Sequence, residues 1–147
     1  MTNEEKQLLL KTLCAMLPYG VKGKMETTDG NGQEITDDGV LNSVFIDEYG
    51  ATYICIEGAE YELENVKPYL RPMSSMTDEE WRKMHNCCNA ILMCDKRICI
   101  QKSKFGSFSE LQDAYTTIDW LNAHHFDYRG LIEMGLALEA PKGMYNF

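Results

Sequence analysis

The stretch VLNSVFIDEYGATYICIEGAEYELE, Val40 to Glu64, decides the fold. Val40–Asp47 and Thr52–Glu57 are short runs rich in β-branched and aromatic residues, separated by Glu48-Tyr49-Gly50, and Gly58 parts the second from Glu60-Tyr61-Glu62-Leu63-Glu64. Runs of this kind bounded by turn residues read as strands. The last alternates acid with apolar, so one of its faces is wet. Upstream, Val21, Gly23 and Met25 alternate with Lys22, Lys24 and Glu26 until the turn-forming Asp29-Gly30-Asn31-Gly32, which adds one more strand and a hairpin-like loop. Four short strands with connections this brief predict an antiparallel meander or a small SH3-like barrel, with a helix covering its otherwise open face.

That helix is predicted over Asn3–Leu17. Thr2 and Glu5 have the spacing of a capping box, and the sets Leu9, Leu13, Met16 and Leu10, Cys14, Leu17 recur at helical spacing. Pro18-Tyr19-Gly20 ends it. On the other side of the strands, Val66–Ser75 carries two prolines and two serines and reads as a connector between halves. Thr77 and Glu80 repeat the capping-box spacing and open a helix to about Cys94, with Trp81, Met84, Cys88, Ile91 and Leu92 on one stripe. A short strand over Arg97–Gln101 follows, and then a third helix, capped by Ser107 and Glu110, runs to about His124 with Leu111, Tyr115, Ile118, Leu121 and, just past its end, His125 inward. The predicted fold class is therefore α+β. Residues 1–72 form an acidic helix-and-strand half, and residues 73–147 form a helical half packed on it as one compact unit.

At 147 residues the chain is long enough for one core, and 44% hydrophobic with 25% charged residues matches a globular domain rather than a disordered or fibrous one. No apolar run approaches the roughly 18 residues of a membrane span, and MTNEEKQLLLKTLC lacks the shape of a secretory signal, so a cytoplasmic location is expected. Six cysteines in such a setting are expected as free thiols, Cys14, Cys55, Cys88 and Cys94 as small hydrophobes. His85, Cys87, Cys88, Cys94 and Cys99 lack the paired spacing of a zinc site, so neither metal nor cofactor is predicted. The net charge of −9 is uneven: residues 1–70 hold five Lys or Arg against thirteen Asp or Glu, and residues 71–147 hold nine against ten. An acidic half repels the phosphate backbone, which argues against nucleic acid as a partner.

The stretch Trp120–Pro141 concentrates local signals. Asp127 suits the N-cap of a short helix from Tyr128 to about Met134, with Phe126 and Leu131 at hydrophobic-staple spacing. Gly135 fits the residue after its C-cap, with Leu136 meeting Leu131. His124, His125, Asp127, Tyr128 and Arg129 also form the candidate ligand-binding cluster, Arg129 for a carboxylate or phosphate and a histidine for a proton. Two segments, VKPYLRPMSSMT (66–77) and WLNAHHFDYRGLIEMGLALEAP (120–141), resemble recurring segments of small uncharacterised proteins of gut Bacteroidales and their phages or prophages. They span about a quarter of the chain. The resemblance implies a bacterial or phage setting and brings no activity, ligand or catalytic residue with it. No nucleophile elbow, P-loop or dinucleotide fingerprint is present. The expected function is that of a non-enzymatic binding protein acting on a protein partner or small molecule. The alternatives are a small hydrolase using His124, His125, Asp127 and Arg129, or a phage assembly subunit that oligomerises through an exposed strand edge.

Overall fold

The structure is a computed structural model that describes the backbone of residues 1–85, 91–94, 97–100 and 108–147 and the side chains of 1–84 and 115–147. Helix α1 spans Asn3–Met16. Its capping box is complete: the Glu5 N–H donates to the Thr2 hydroxyl at 3.2 Å, and the Thr2 N–H donates to the Glu5 carboxylate at 2.7 Å. Leu9, Thr12, Leu13 and Met16 are buried, with the Thr12 hydroxyl spent on the Leu8 carbonyl at 2.8 Å. The second expected row is only partly covered, because Cys14 is exposed.

Strands β1 (Lys22–Thr28), β2 (Glu34–Ile46), β3 (Thr52–Ile56) and β4 (Ala59–Glu62) pair antiparallel in chain order. The sheet does not stop at four strands. Val66–Leu70, expected as a connector, is strand β5 and pairs antiparallel with β1. After it come helix α2 (Asp78–His85), the hairpin β6 (Ile91–Cys94) and β7 (Arg97–Ile100), and helix α3 (Phe108–Ala123). Strand β8 (Leu138–Glu139) then joins β5 in parallel, which completes a six-stranded mixed sheet in the order β4-β3-β2-β1-β5-β8. Among the described residues its two ends do not pair with each other, and α1 packs on the sheet.

Pro68 misled the reading of β5, and its place in the ladder explains why a proline is tolerated. Gly23 lies opposite Pro68, and the next rung in register is Lys22 with Tyr69. There the Tyr145 hydroxyl accepts the Lys22 N–H at 2.9 Å and donates to the Tyr69 carbonyl at 2.8 Å. Lys22 and Tyr69 thus point their polar groups at each other, and by the alternation of an antiparallel ladder the Pro68 nitrogen points away from β1. Strand β8 pairs only with Tyr69 and Leu70, so no donor is required at Pro68. Opposite it, Gly23 is needed for space: a Cβ there would stand 3.0 Å from a Leu41 methyl and 3.2 Å from the Lys67 carbonyl.

Three further expectations are corrected. Of the helix read through Cys94, Asp78–His85 is described as α2, and Ile91–Cys94 is the strand β6, because a short apolar run satisfies both periods and cross-strand pairing with β7 decides. On α3, Tyr115 is exposed while Thr117 and Leu121 are buried. Residues 128–134 form hydrogen-bonded turns rather than a short helix, and among the described residues the second half of the chain contributes three strands as well as two helices. The Ser107 cap and the set His85, Cys87, Cys88, Cys94 and Cys99 lie outside the residues whose side chains are described.

The main core is formed where α1 meets the sheet: Leu9, Leu13 and Met16 pack with Val21, Met25, Leu41, Ile54, Ile56, Val66 and Leu70, and Leu131, Leu136 and Ala137 enter the same cluster. Each such side chain contributes roughly 1.5–3 kcal/mol by leaving water. A smaller cluster joins Met76 and Met84 with Leu121 and Phe126. Among the described residues no helix is long and apolar enough to cross a membrane.

Candidate functional site

The end of β5 runs into the segment that follows α3. The Arg71 N–H donates to the His125 carbonyl at 2.7 Å, and the Asp127 N–H donates to the Arg71 carbonyl at 2.8 Å. These bonds dock residues 125–127 alongside Arg71, and His125 makes the required corner at φ +57°. The Arg71 guanidinium is held in a fork on the Glu80 carboxylate, at 2.9 and 3.0 Å, and lies over the Phe126 ring at 4.1 Å and the Phe147 ring at 5.3 Å. Glu80 also accepts the Thr77 N–H at 2.9 Å, so the predicted second capping box is present and its acid carries the ion pair as well. Burial works to raise the Glu80 carboxyl, and the Arg71 fork and the Thr77 N–H overcome it, leaving the group below the usual carboxylate range.

Around this pair the aromatic rings stack. His124 lies on Trp120 at 3.9 Å and donates a hydrogen bond from Nδ1 to the Trp120 carbonyl at 2.8 Å. His125 is 2% exposed and stacks on Tyr145 at 4.0 Å. Neither of its ring nitrogens makes a hydrogen bond of standard geometry among the described residues. Burial pushes its pKa down to about 4; the neighbouring charges of His124 and Arg71 act in the same direction, and the Tyr19 backbone acts against them. The ring is a neutral aromatic slab at pH 7. Burial also pushes the Tyr145 phenol up to about 12, against the Lys22 N–H, so the hydroxyl keeps the proton it donates to Tyr69.

The five residues singled out from the sequence lie on two sides of this cluster. His124 and His125 face the rings of Tyr145 and Phe147. Asp127 turns the other way: one carboxylate oxygen accepts the Leu131 N–H at 2.8 Å and the other the Ile132 N–H at 2.8 Å. Asp127 therefore caps, two residues further along than an N-cap would. At the far end of the same turns Gly135 has φ +72°, with Leu136 N–H on the Leu131 carbonyl at 2.9 Å and Gly135 N–H on the Ile132 carbonyl at 3.0 Å, the bonding of a Schellman motif. Phe126 and Leu131 belong to different apolar clusters, so the expected staple is not what holds the segment. The Tyr128 hydroxyl donates to Asn122 at 3.0 Å, and the Arg129 guanidinium lies 5.2 Å from the Tyr128 ring.

What the sequence did not single out is the cavity on the other side of Arg71. A groove of about 500 Å³ is lined by Arg71, Thr77, Glu80, Lys142, Tyr145 and Phe147. Its walls come from two distant parts of the chain, residues 71–80 and 139–147, and only the Thr77–Glu80 spacing signalled any of it. Among the described residues no three or more His, Cys, Asp or Glu side chains gather as a metal site. Compared with known proteins, the chain matches no family model, no curated protein and no solved structure.

Proposed function

We propose that the chain is a non-enzymatic binding protein that docks on a partner through the acidic, strand-rich side of its sheet. The observation that supports this reading is the hairpin end of β2 and β3. Phe45, Ile46 and Tyr49 are all exposed there, Ile46 by 60% and Tyr49 by 88%, with Phe45 and Ile46 on opposite faces of the strand. The turn that carries Tyr49 is fixed: the Asp47 carboxylate accepts the N–H groups of Tyr49 and Ala51 at 2.9 and 2.8 Å, and Phe45 stacks on Tyr53 at 5.2 Å. Single exposed apolar residues are ordinary, but a rigidly held group beside a strand edge has the make-up of an interaction surface. The resemblance to proteins of Bacteroidales and their phages supplies a setting, an accessory protein acting on a host factor in a bacterial cytoplasm.

The test compares immobilised wild-type protein with the double variant Ile46→Asp, Tyr49→Asp over a lysate of such a host. A partner retained by the wild type and lost by the variant supports the reading. Retention of the same proteins by both, or of none, overturns it.

A second reading rests on the groove beside Arg71 and Glu80, which would hold a small molecule against Phe147 and Tyr145. Native mass spectrometry of the purified protein would show an adduct that Phe147→Ala loses. The hydrolase alternative is not adopted: His125 is sealed beneath Tyr145, and both Asp127 oxygens are taken by backbone N–H groups.

A further inference from the structure

We infer that the partner is a basic, extended segment of another protein that adds to the sheet as a strand beside β4. This rests on the docking reading above and names the chemistry of its partner. Among the described residues β4 pairs only with β3, so its outer edge presents backbone groups to water. The strand alternates cleanly, Ala59 and Tyr61 half-buried and Glu60 and Glu62 exposed. An added strand would therefore place alternate side chains beside Glu60 and Glu62 on one face and beside Ala59 and Tyr61 on the other.

Both faces are prepared for it. On one face Glu60 and Glu62 are both exposed acids, and no Lys or Arg occurs in the sequence between Lys24 and Lys67. A groove of about 400 Å³ opens between α1 and the edge, with Leu10, Gln7 and Lys6 on the helix and Thr52, Leu63 and Glu64 across from them, Lys6 being paired with Glu64. Ile46 lies opposite Thr52 in the ladder, so an exposed apolar side chain stands next to the groove at the hairpin end. The same acids decide against a second copy of this chain. Pairing β4 with its own duplicate would set glutamates against glutamates across the new ladder, and like charges placed so are destabilising. Alternating Lys or Arg with Val, Ile or aromatic residues meets both faces at once.

The probe is the synthetic peptide Lys-Val-Lys-Val-Lys-Val-Lys, with binding read by fluorescence anisotropy and location by amide hydrogen exchange. Expected results are slowed exchange confined to residues 59–62, affinity weakened about tenfold by Glu60→Lys with Glu62→Lys, and no binding of the matching Glu-Val peptide. Both glutamates are exposed, and a thermal melt of the variant checks its fold. A peptide N-methylated along one edge supplies the same test without altering the protein, and it should not bind. Equal affinity for the basic and acidic peptides, full binding of the methylated peptide, or protection elsewhere each overturns the inference. If the probe fails while the Ile46 and Tyr49 double variant still loses its captured partner, strand addition is wrong and docking on the hairpin end stands.

Discussion

His125 shows how a residue suggestive of chemistry is used instead as a building block. It sits in the left-handed region and stacks on Tyr145, and its folded pKa lies near 4 against an ordinary value of 6.5. Between those values the unfolded chain binds a proton that the folded chain does not, so stability falls as pH drops from about 6.5 to about 4. The loss approaches roughly 3 kcal/mol at the bottom of that window, taking about 1.4 kcal/mol per pKa unit. Urea unfolding at pH 7, 5.5 and 4.5 should show this slope for the wild type and a flatter one for His125→Asn, which tolerates the same backbone conformation. Identical slopes would mean that His125 is protonated in the folded protein. The histidine pair was visible in the sequence, but its role was not. Burial of His125 depends on Tyr145, twenty residues later, and no local pattern announces such a stack.

At the scale of elements, legibility followed the reach of the hydrogen bonds. Both capping boxes close within three residues, and both could be read from spacing alone. The turns between Asp127 and Gly135 were legible as a capped unit, because their bonds span four or five residues. They were misread as helix only because the Asp127 carboxylate reaches past the first turn to Leu131 and Ile132. Asp127→Ala would strip acceptors from both N–H groups, the Leu131 one buried, at a cost of roughly 1–3 kcal/mol per unsatisfied group. The expected result is a lower midpoint in urea with the m-value unchanged, because the surface exposed on unfolding stays the same. Strand β5 was missed for the opposite reason. Its proline argued for a linker, and its partners, β1 before it and β8 after it, are remote in sequence.

The molecule as a whole is held by a late return of the chain. Tyr145 spans 76 residues to reach the Tyr69 carbonyl and 123 to reach the Lys22 N–H, replacing with its phenol a rung the two strands do not make directly. Tyr145→Phe keeps the ring on His125 and removes that rung. The variant should lose roughly 1–3 kcal/mol of global stability, and amides at residues 138–140 should exchange faster while those of α1 keep their order of protection. Unchanged exchange at 138–140 would show that β8 is held without the phenol. The acidic edge at β4 and the groove beside Arg71 are likewise assembled from distant segments, so the sequence could give their charge but not their shape.

The same return has a consequence for how the protein is made. Leu70 is added 68 residues before Leu138, which at roughly 5–20 residues per second is an interval of about 3–14 s. During that time the nascent sheet ends at β5, with Val66 and Leu70 awaiting the residues that later bury them. Neighbouring chains on one messenger could pair along such a border. Pro68 faces outward there with no hydrogen to give, so the proline that obscured the strand also guards it against its siblings until synthesis is finished.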